Sequence, residues 1–403
     1  MSEILEVFLE STYKSRYEED SVDRLNYRIT GLILVAAALT ITAKSYVGEP
    51  IQCWVPAHFE DAWEQYVENY CFVENTYWVK MENELPNSVA EREQLQLSYY
   101  QWVPFLMILQ AVMFSIPHII WRMLNCLSGI QVRSIITMAT SFDELTDAHA
   151  ETIEMIARHL KAGLQLNAKI GLSASSNPFV LIARSLSGLV GAYITIAYML
   201  VKLLSIVNCI LQFSLLNGFL GTQYKYWGAE ILTDLVAGRD WFETGHFPRV
   251  TMCDLEVRQL GNIHRWSIQC VLMINLFNEK IYLFLWWWFL IVTLVTIQNF
   301  IYWLVVSSIG YFRRTFLKRM LNASLIDIQT EEDEFLFNRF ANDLVGSDGV
   351  VVLRLLTGNA GEIVGSCVVR ALWNMSKDEL RRQSAPDRNT VAMLDEKYRV
   401  FPK

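Results

Sequence analysis

A chain of 403 residues that is 53% apolar and 13% aromatic, with 13 tryptophans and a mean hydropathy of +0.24, is too apolar for an ordinary soluble domain. A polytopic membrane protein is the class these values imply. The formal net charge of -8, with no basic tract interleaved with aromatics, excludes nucleic acid as an expected partner.

Residues 1–28 carry Glu3, Glu6, Glu10, Glu18, Glu19 and Asp20 without the basic start and apolar core of a cleavable signal. They read as a cytoplasmic amino-terminal segment. The spacing of Ile4, Leu5, Phe8 and Leu9 puts them on one face of a short helix, which packs at the terminus or folds into a pore mouth. The first apolar run, 29–47, is about long enough to cross a bilayer of about 30 Å. Ala36, Ala37, Thr40, Ala43 and Lys44 share one face of it, and small, weakly polar residues suit either tight helix packing or a water-filled pore.

Residues 48–102 form a polar loop with ten acids against two bases, Lys80 and Arg92, and with Cys53 and Cys71. Because basic residues are retained on the cytoplasmic side, this base-poor loop is expected outside. Its acids are expected to attract cations. It ends in Tyr99-Tyr100-Gln101-Trp102-Val103-Pro104-Phe105, whose aromatic rings suit a membrane-water interface and whose proline suits a first helical turn. The second span is 103–121, with a kink expected at Pro117 and an interfacial His118 beyond it.

Residues 122–202 read as a cytoplasmic helical loop in which Ile153, Ile156, Leu160 and Leu164 mark one apolar stripe. A lysine at mid-bilayer is expensive, so Lys202 is placed at the inner interface and the third span at 203–220. Asn208, Gln212 and Asn217 then bond between helices. Residues 221–280 are the second outer loop, with Cys253 and Cys270, and 281–306 the fourth span, opening on Trp286-Trp287-Trp288. Arg313, Arg314, Lys318 and Arg319 fix its far end in the cytoplasm. In the cytoplasmic region 307–403, Leu336, Phe340 and Leu344 suggest an amphipathic helix, and from Ser376 onward the charges suggest a flexible end.

The fold class is therefore an all-α membrane protein: four transmembrane helices, two extracellular loops and helical cytoplasmic domains, with both termini in the cytoplasm. Four spans put both outer loops on one side, and with them Cys53, Cys71, Cys253 and Cys270. Four cysteines allow three pairings, and spacing does not choose among them. Cys126, Cys209 and Cys367 are expected as reduced thiols. The six histidines make no paired metal-ligand spacing, and no Gly-x-Ser-x-Gly or phosphate loop appears, so no catalytic residue, metal or cofactor is expected and the chain is not read as an enzyme.

Several stretches resemble the innexin family, the gap-junction proteins of invertebrates. They are the block Tyr99 to Phe105; Tyr46-Val47-Gly48-Glu49-Pro50-Ile51-Gln52-Cys53-Trp54-Val55-Pro56; Tyr70-Cys71-Phe72-Val73; Thr244 to Asp254; Cys270 to Lys280; and Asp348 to Leu356. The resemblance implies a gap-junction channel subunit of the plasma membrane, passing ions and small molecules between adjacent cells and possessing hemichannel forms. It implies a homo- or hetero-oligomeric ring, with eight subunits suggested, embedded in membrane lipids and docking head to head with a channel of the adjacent cell. It also implies a pore lined by the amino-terminal segment and the first span, hence by Ile4, Leu5, Phe8, Leu9, Ala36, Ala37, Thr40, Ala43 and Lys44. The implied disulfides join loop to loop, Cys53 with Cys270 and Cys71 with Cys253, pairing within each loop being the alternative. The competing reading is a four-span structural or adhesion junction protein without conductance, of the claudin or tetraspanin kind. That reading calls for cysteines concentrated in one outer loop, whereas this chain has two in each.

Overall fold

The computed structural model describes residues 18–80, 82–140, 147–170, 192–219, 247–326, 328 and 330–384. Helix α1 (Ser21–Tyr46) widens to π-helical geometry over Leu25–Thr30. It is followed by β1 (Gln52–Trp54), α2 (Asp61–Glu74), β2 (Thr76–Tyr77), α3 (Val89–Gln94) and β3 (Gln96–Leu97). Then come α4 (Val103–Leu127), α5 (Val132–Thr140), α6 (Asp147–Ile170) and α7 (Tyr193–Phe219). Strands β4 (Val250–Gln259) and β5 (Asn262–Val271) precede α8 (Met273–Ser308). The chain closes on α9 (Gly310–Ala323), α10 (Glu331–Arg339), α11 (Gly346–Ala360) and α12 (Glu362–Ser384).

Four helices, α1, α4, α7 and α8, are long and apolar enough to cross a membrane, with mean hydropathies between 1.5 and 2.1 over their most apolar windows. Each extends beyond the apolar run that marks it in the sequence. Polar residues add to an existing helix far more cheaply than they nucleate one, so a helix need not end where its apolar run ends. The chain divides into two compact units, and the division falls inside each of these four helices.

One unit comprises Leu25–Pro117 and Leu204–Ile297. Its core gathers Leu34, Ala38 and Ile41 of α1, Met107 and Phe114 of α4, Leu216 of α7, and Leu285, Phe289 and Val292 of α8. These residues recur every three or four positions, so each helix turns one stripe inward. The same unit holds a five-stranded antiparallel sheet in the order β1-β5-β4-β2-β3, where the sequence pattern suggests only loops. Strands β4 and β5 pair from Val250 opposite Val271 to Gln259 opposite Asn262. That register leaves only Leu260 and Gly261 to turn, both at positive φ (51° and 87°), as a hairpin of matched twist requires.

The other unit comprises the chain up to Arg24, His118–Leu203 and the chain from Gln298. Ile153, Ile156, Leu160 and Leu164 of α6 are all buried there. Leu336, Phe340 and Leu344, around which an amphipathic helix is expected, lie in a helical segment that keeps α geometry to Arg339 in α10 and widens to π-helical turns over Phe340–Val345, before α11 starts at Gly346. Gly346 has φ +58° and ψ -157°, a conformation open essentially to glycine alone. Of the flexible end expected from Ser376, residues 376–384 are helical, because α12 continues to Ser384, and 385–403 lie outside the described residues. Leu380 is buried, and Lys161 pairs with Glu379 at 2.7 Å and Lys377 with Asp333 at 2.8 Å. Charges that look solvating in sequence thus tie α12 to α6 and α10.

Asp348 begins the block that ends at Leu356, and it is 1% exposed. Its carboxylate accepts from the backbone amides of Ile194 and Thr195 at 3.1 and 2.9 Å and from the Thr195 hydroxyl at 2.7 Å. A distant acid therefore satisfies the first amides of α7, where a negative charge also suits the helix dipole. Burial pushes the Asp348 carboxyl up in pKa, against these hydrogen bonds, which pull it down.

Candidate functional site

The two long loops are joined covalently. Cys53 is bonded to Cys270 and Cys71 to Cys253, across sequence separations of 217 and 182 residues. The positions follow from the sheet and from α2, since Cys53 and Cys270 face each other across β1 and β5, while α2 carries Cys71 toward β4. All four cysteines are buried, and the sulfurs of Cys53, Cys71 and Cys270 lie within 4.8 Å of one another. Such a cluster resembles a metal site, but its sulfurs are already bonded in disulfides. Beside it, Asp254 accepts from the Tyr77 hydroxyl at 3.1 Å and the Ser267 hydroxyl at 2.6 Å, and pairs with Arg92 at 2.9 Å. Burial, with the Asp254 charge added, pushes the Tyr77 phenol up to about 12.

The Tyr99 to Phe105 block proves to be a clasp as well as an interfacial belt. Trp102 and Phe105 are exposed at 63% and 59%, as lipid-facing rings would be, but Tyr100 is fully buried. The Tyr100 hydroxyl donates to the Phe72 carbonyl at 3.1 Å. The Gln101 amide reaches the Phe72 and Val73 carbonyls at 2.8 and 3.1 Å and the Asn75 side chain at 3.3 Å. This segment therefore closes the carboxyl end of α2, the helix that carries Cys71, against the start of α4. Replacing Gln101 by leucine is expected to cost about 1–3 kcal/mol, because it removes the amide that serves the Val73 carbonyl and the Asn75 side chain and one of the two donors to the Phe72 carbonyl. Tyr100→Phe should cost less, since Gln101 still serves Phe72. Thermal midpoints of the detergent-solubilised variants measure both, and midpoints equal to the parent's would show that the clasp holds nothing.

The first helix turns Leu34, Ala38 and Ile41 into the core. Ala36, Thr40 and Ala43 are exposed, while Ala37 and Lys44 are half-buried, Ala37 packing at the edge of that core. Leu32, Val35 and Leu39 are exposed as well, so the described residues leave a broad surface of α1 uncovered. Ile4, Leu5, Phe8 and Leu9 lie outside the described residues. Pro117 sits inside α4, which continues past it to Leu127. Lower in α1, Asn26 donates to Thr296 of α8 at 2.9 Å and accepts from the Cys209 thiol of α7 at 3.2 Å. Of the polar residues in α7, Asn217 accepts from Trp286 of α8 at 3.2 Å, and the Gln212 amide touches Met113 of α4. Asn208 instead bonds within its own helix, to Gln212.

A buried charge cluster, which sequence reasoning misses, holds the described start of the chain. Lys202 is fully buried and donates to Asp23 at 2.8 Å, Asn299 at 2.6 Å and Asp20 at 3.4 Å. Asp20 also accepts from the Trp303 indole at 2.8 Å, and Asp23 from the Tyr198 hydroxyl at 2.9 Å. Burial alone would raise the Asp20 pKa, but the Lys202 ammonium and these hydrogen bonds hold it well below the usual carboxylate range. Next to it, Glu19 meets His118 and Glu18 pairs with Arg122 at 3.6 Å. Burial raises the Glu19 pKa. His118, expected from its position to be interfacial, contacts Glu19 in the segment entering α1. The acids Glu18, Glu19, Asp20 and Asp23, set against a lone lysine in an apolar run, are the one signal of this cluster that the sequence carries.

Comparison with known proteins identifies this arrangement. The Innexin family model matches residues 19–376. The chain is 41% identical to Innexin unc-9 of Caenorhabditis elegans over 358 residues, which is 89% of this chain and 92% of that protein. It is 39% identical to Innexin eat-5 of Caenorhabditis elegans, over 90% of this chain and 88% of that protein. Innexin-19 of Caenorhabditis briggsae matches at 36%, over 93% and 90%. Four membrane-length apolar helices, two disulfides joining their connecting loops and a family match along nearly the whole chain agree: the chain belongs to the innexin family.

Proposed function

We propose that this chain is a subunit of a large-pore intercellular channel, in which a ring of like subunits docks end to end with its counterpart in the next cell. The observation that carries the reading is the cap, in which both connecting loops are fused by Cys53–Cys270 and Cys71–Cys253 into one five-stranded sheet. Docking two rings needs a surface ordered before they meet, because ordering it afterwards would subtract from the binding energy. The hairpin turn supports this use of the cap, since Leu260 at its tip is fully exposed.

Innexins are gap-junction channel proteins of the membrane, which supplies the general class. Within it, we assign the bilayer to 29–47, 103–121, 203–220 and 281–306 of the four long helices, with eight subunits in the ring. Both termini face the cytoplasm in this reading, because Arg313, Arg314, Lys318 and Arg319 follow the fourth span and disulfides form on the oxidising side. The uncovered face of α1 with Ala36, Thr40 and Ala43 lines the path or meets the neighbouring subunit.

The test is electrical. Expressed in paired cells, the chain is expected to give junctional conductance, and currents in unpaired membranes would add a hemichannel role. Thr40→Cys should make that conductance sensitive to a charged thiol reagent, which the parent should resist. Surface-expressed protein silent in both configurations, alone and with related subunits, would favour the structural reading instead.

A further inference from the structure

The helical unit contains a cavity of about 420 Å³ bounded by the first turn of α1, the last turns of α8, and parts of α9, α11 and α12. Three arginines reach it, Arg24, Arg319 and Arg354. Each of its acids has a partner, some of them in the lining itself, although one buried oxygen of Glu19 has none among the described residues. Asp20 is held by Lys202, Asn299 and Trp303, Glu19 meets His118, and Glu362 accepts Arg319 through both oxygens at 2.7 and 3.1 Å.

Arg354 differs from the others. Its guanidinium lies 4.4 Å from the centre of the Phe316 ring and donates from Nη1 to the Tyr302 hydroxyl at 3.0 Å. Its Nε is buried and has no hydrogen-bond partner, and no carboxylate pairs with it, among the described residues. Burial lowers its pKa, the direction expected for a charge taken from water without a counter-ion. Arginine stays charged under such pressure, so a half-buried guanidinium with spare donors beside a cavity calls for an anion. The flat fork of donors fits two oxygens of a phosphate group.

The surroundings indicate where the phosphate comes from. Tyr302, which lines the cavity, is 51% exposed, and Ile301 beside it in α8 and Tyr311 on α9 are exposed at 54% and 67%. Arg313, Arg314 and Lys318 add positive charge along α9, as segments lying on anionic membranes do. We propose that the cavity binds the phosphate group of an anionic phospholipid, with Arg354 as its principal ligand. The lipid source rests on the placement of this end of α8 at the cytoplasmic membrane surface, whereas the phosphate chemistry does not.

The full chain, purified in an uncharged detergent, can be titrated with short-chain phosphatidylinositol phosphate, phosphatidylserine, phosphatidylcholine, inositol phosphate and inorganic phosphate while its thermal midpoint is followed. Saturable stabilisation by the anionic lipids and not by phosphatidylcholine is expected. Arg354→Gln should weaken it by about tenfold or more, the value of one or two charged hydrogen bonds, while Arg314→Gln on the same surface changes it by less than about twofold. Equal stabilisation by the soluble phosphates would support the phosphate site and assign it a soluble occupant. Equal responses of parent and Arg354→Gln to every phosphate compound would overturn the proposal, as would an equal loss in Arg314→Gln. If Arg354→Gln fails to fold, Tyr302→Phe and Arg319→Gln carry the same comparison. Because the readout is binding in detergent, its outcome is independent of whether the chain conducts.

Discussion

Lys202→Met is expected to destabilise the helical unit by about 3–5 kcal/mol, the usual cost of removing one member of a buried ion pair. The magnitude follows from what remains. Asp20 and Asp23 would keep neutral donors such as Trp303, Asn299 and the Val22 amide for Asp20 and Tyr198 for Asp23, in a setting where Lys202 itself is 0% exposed. Asp20 has its pKa depressed by this neighbour, so its contribution is fully present at neutral pH and is lost only as pH falls through the depressed value. The fall in thermal midpoint of the solubilised protein measures the effect. Adding Asp20→Asn and Asp23→Asn to Lys202→Met should recover a large part of it, because the stranded charges are then gone. A single variant as stable as the parent would mean that the cluster is not a structural pair. The functional consequence concerns the segment before Glu18. In the channel reading, a loosened anchor should alter conductance even in protein that still reaches the surface.

What is legible in the sequence, and what is not, divides along a physical line. Runs of apolar residues report burial in lipid directly, so the four long helices at Ser21–Tyr46, Val103–Cys126, Tyr193–Gly218 and Met273–Ser308 announce themselves by hydropathy alone. A lone lysine at the head of such a run is equally plain, but its partners are not, because Asp20 and Asp23 are about 180 residues away. Position 202 carries the cost without naming what offsets it. The sheet escapes notice for a different reason. Its strands are short apart from β4 and β5, and β4 buries only Thr251, Cys253 and Leu255 in alternation before its exposed end. A period-2 signal that weak is easily lost in a loop rich in charges. In the carboxyl-terminal region composition misleads, since Lys377, Glu379 and Arg381 suggest a solvated end yet pair with Asp333, Lys161 and Glu332.

Removing either disulfide should abolish junctional coupling, and Cys71→Ser with Cys253→Ser is the cleaner variant because it leaves no lone thiol to mispair. Cross-linking a chain restricts its unfolded state, by about 4.7 kcal/mol for a loop of about 100 residues in the chain-entropy account. These bridges close 217 and 182 residues, and each doubling of loop length adds only about 0.6 kcal/mol, so about 5 kcal/mol each is the ceiling. The larger effect is local. Without Cys71–Cys253, α2 keeps Val67 in the core, while the grip of Tyr100 and Gln101 on the Phe72 and Val73 carbonyls ties its end to the start of α4 and not to the sheet. Glu68 adds one long contact, to the Cys53 amide at 3.4 Å. In the proposed channel, a cap loosened in this way would meet its ordering cost at the moment two rings come together. Currents from unpaired membranes should survive better than junctional currents, since Leu34, Phe114, Leu216 and Phe289 stand on the four membrane-length helices rather than on α2 or the sheet, although the cluster they form also takes in the four disulfide cysteines. Paired-cell recordings alongside thiol labelling of surface protein separate the two. Undiminished coupling from the double variant would dismiss the cap as the docking element and return the disulfides to a purely stabilising role.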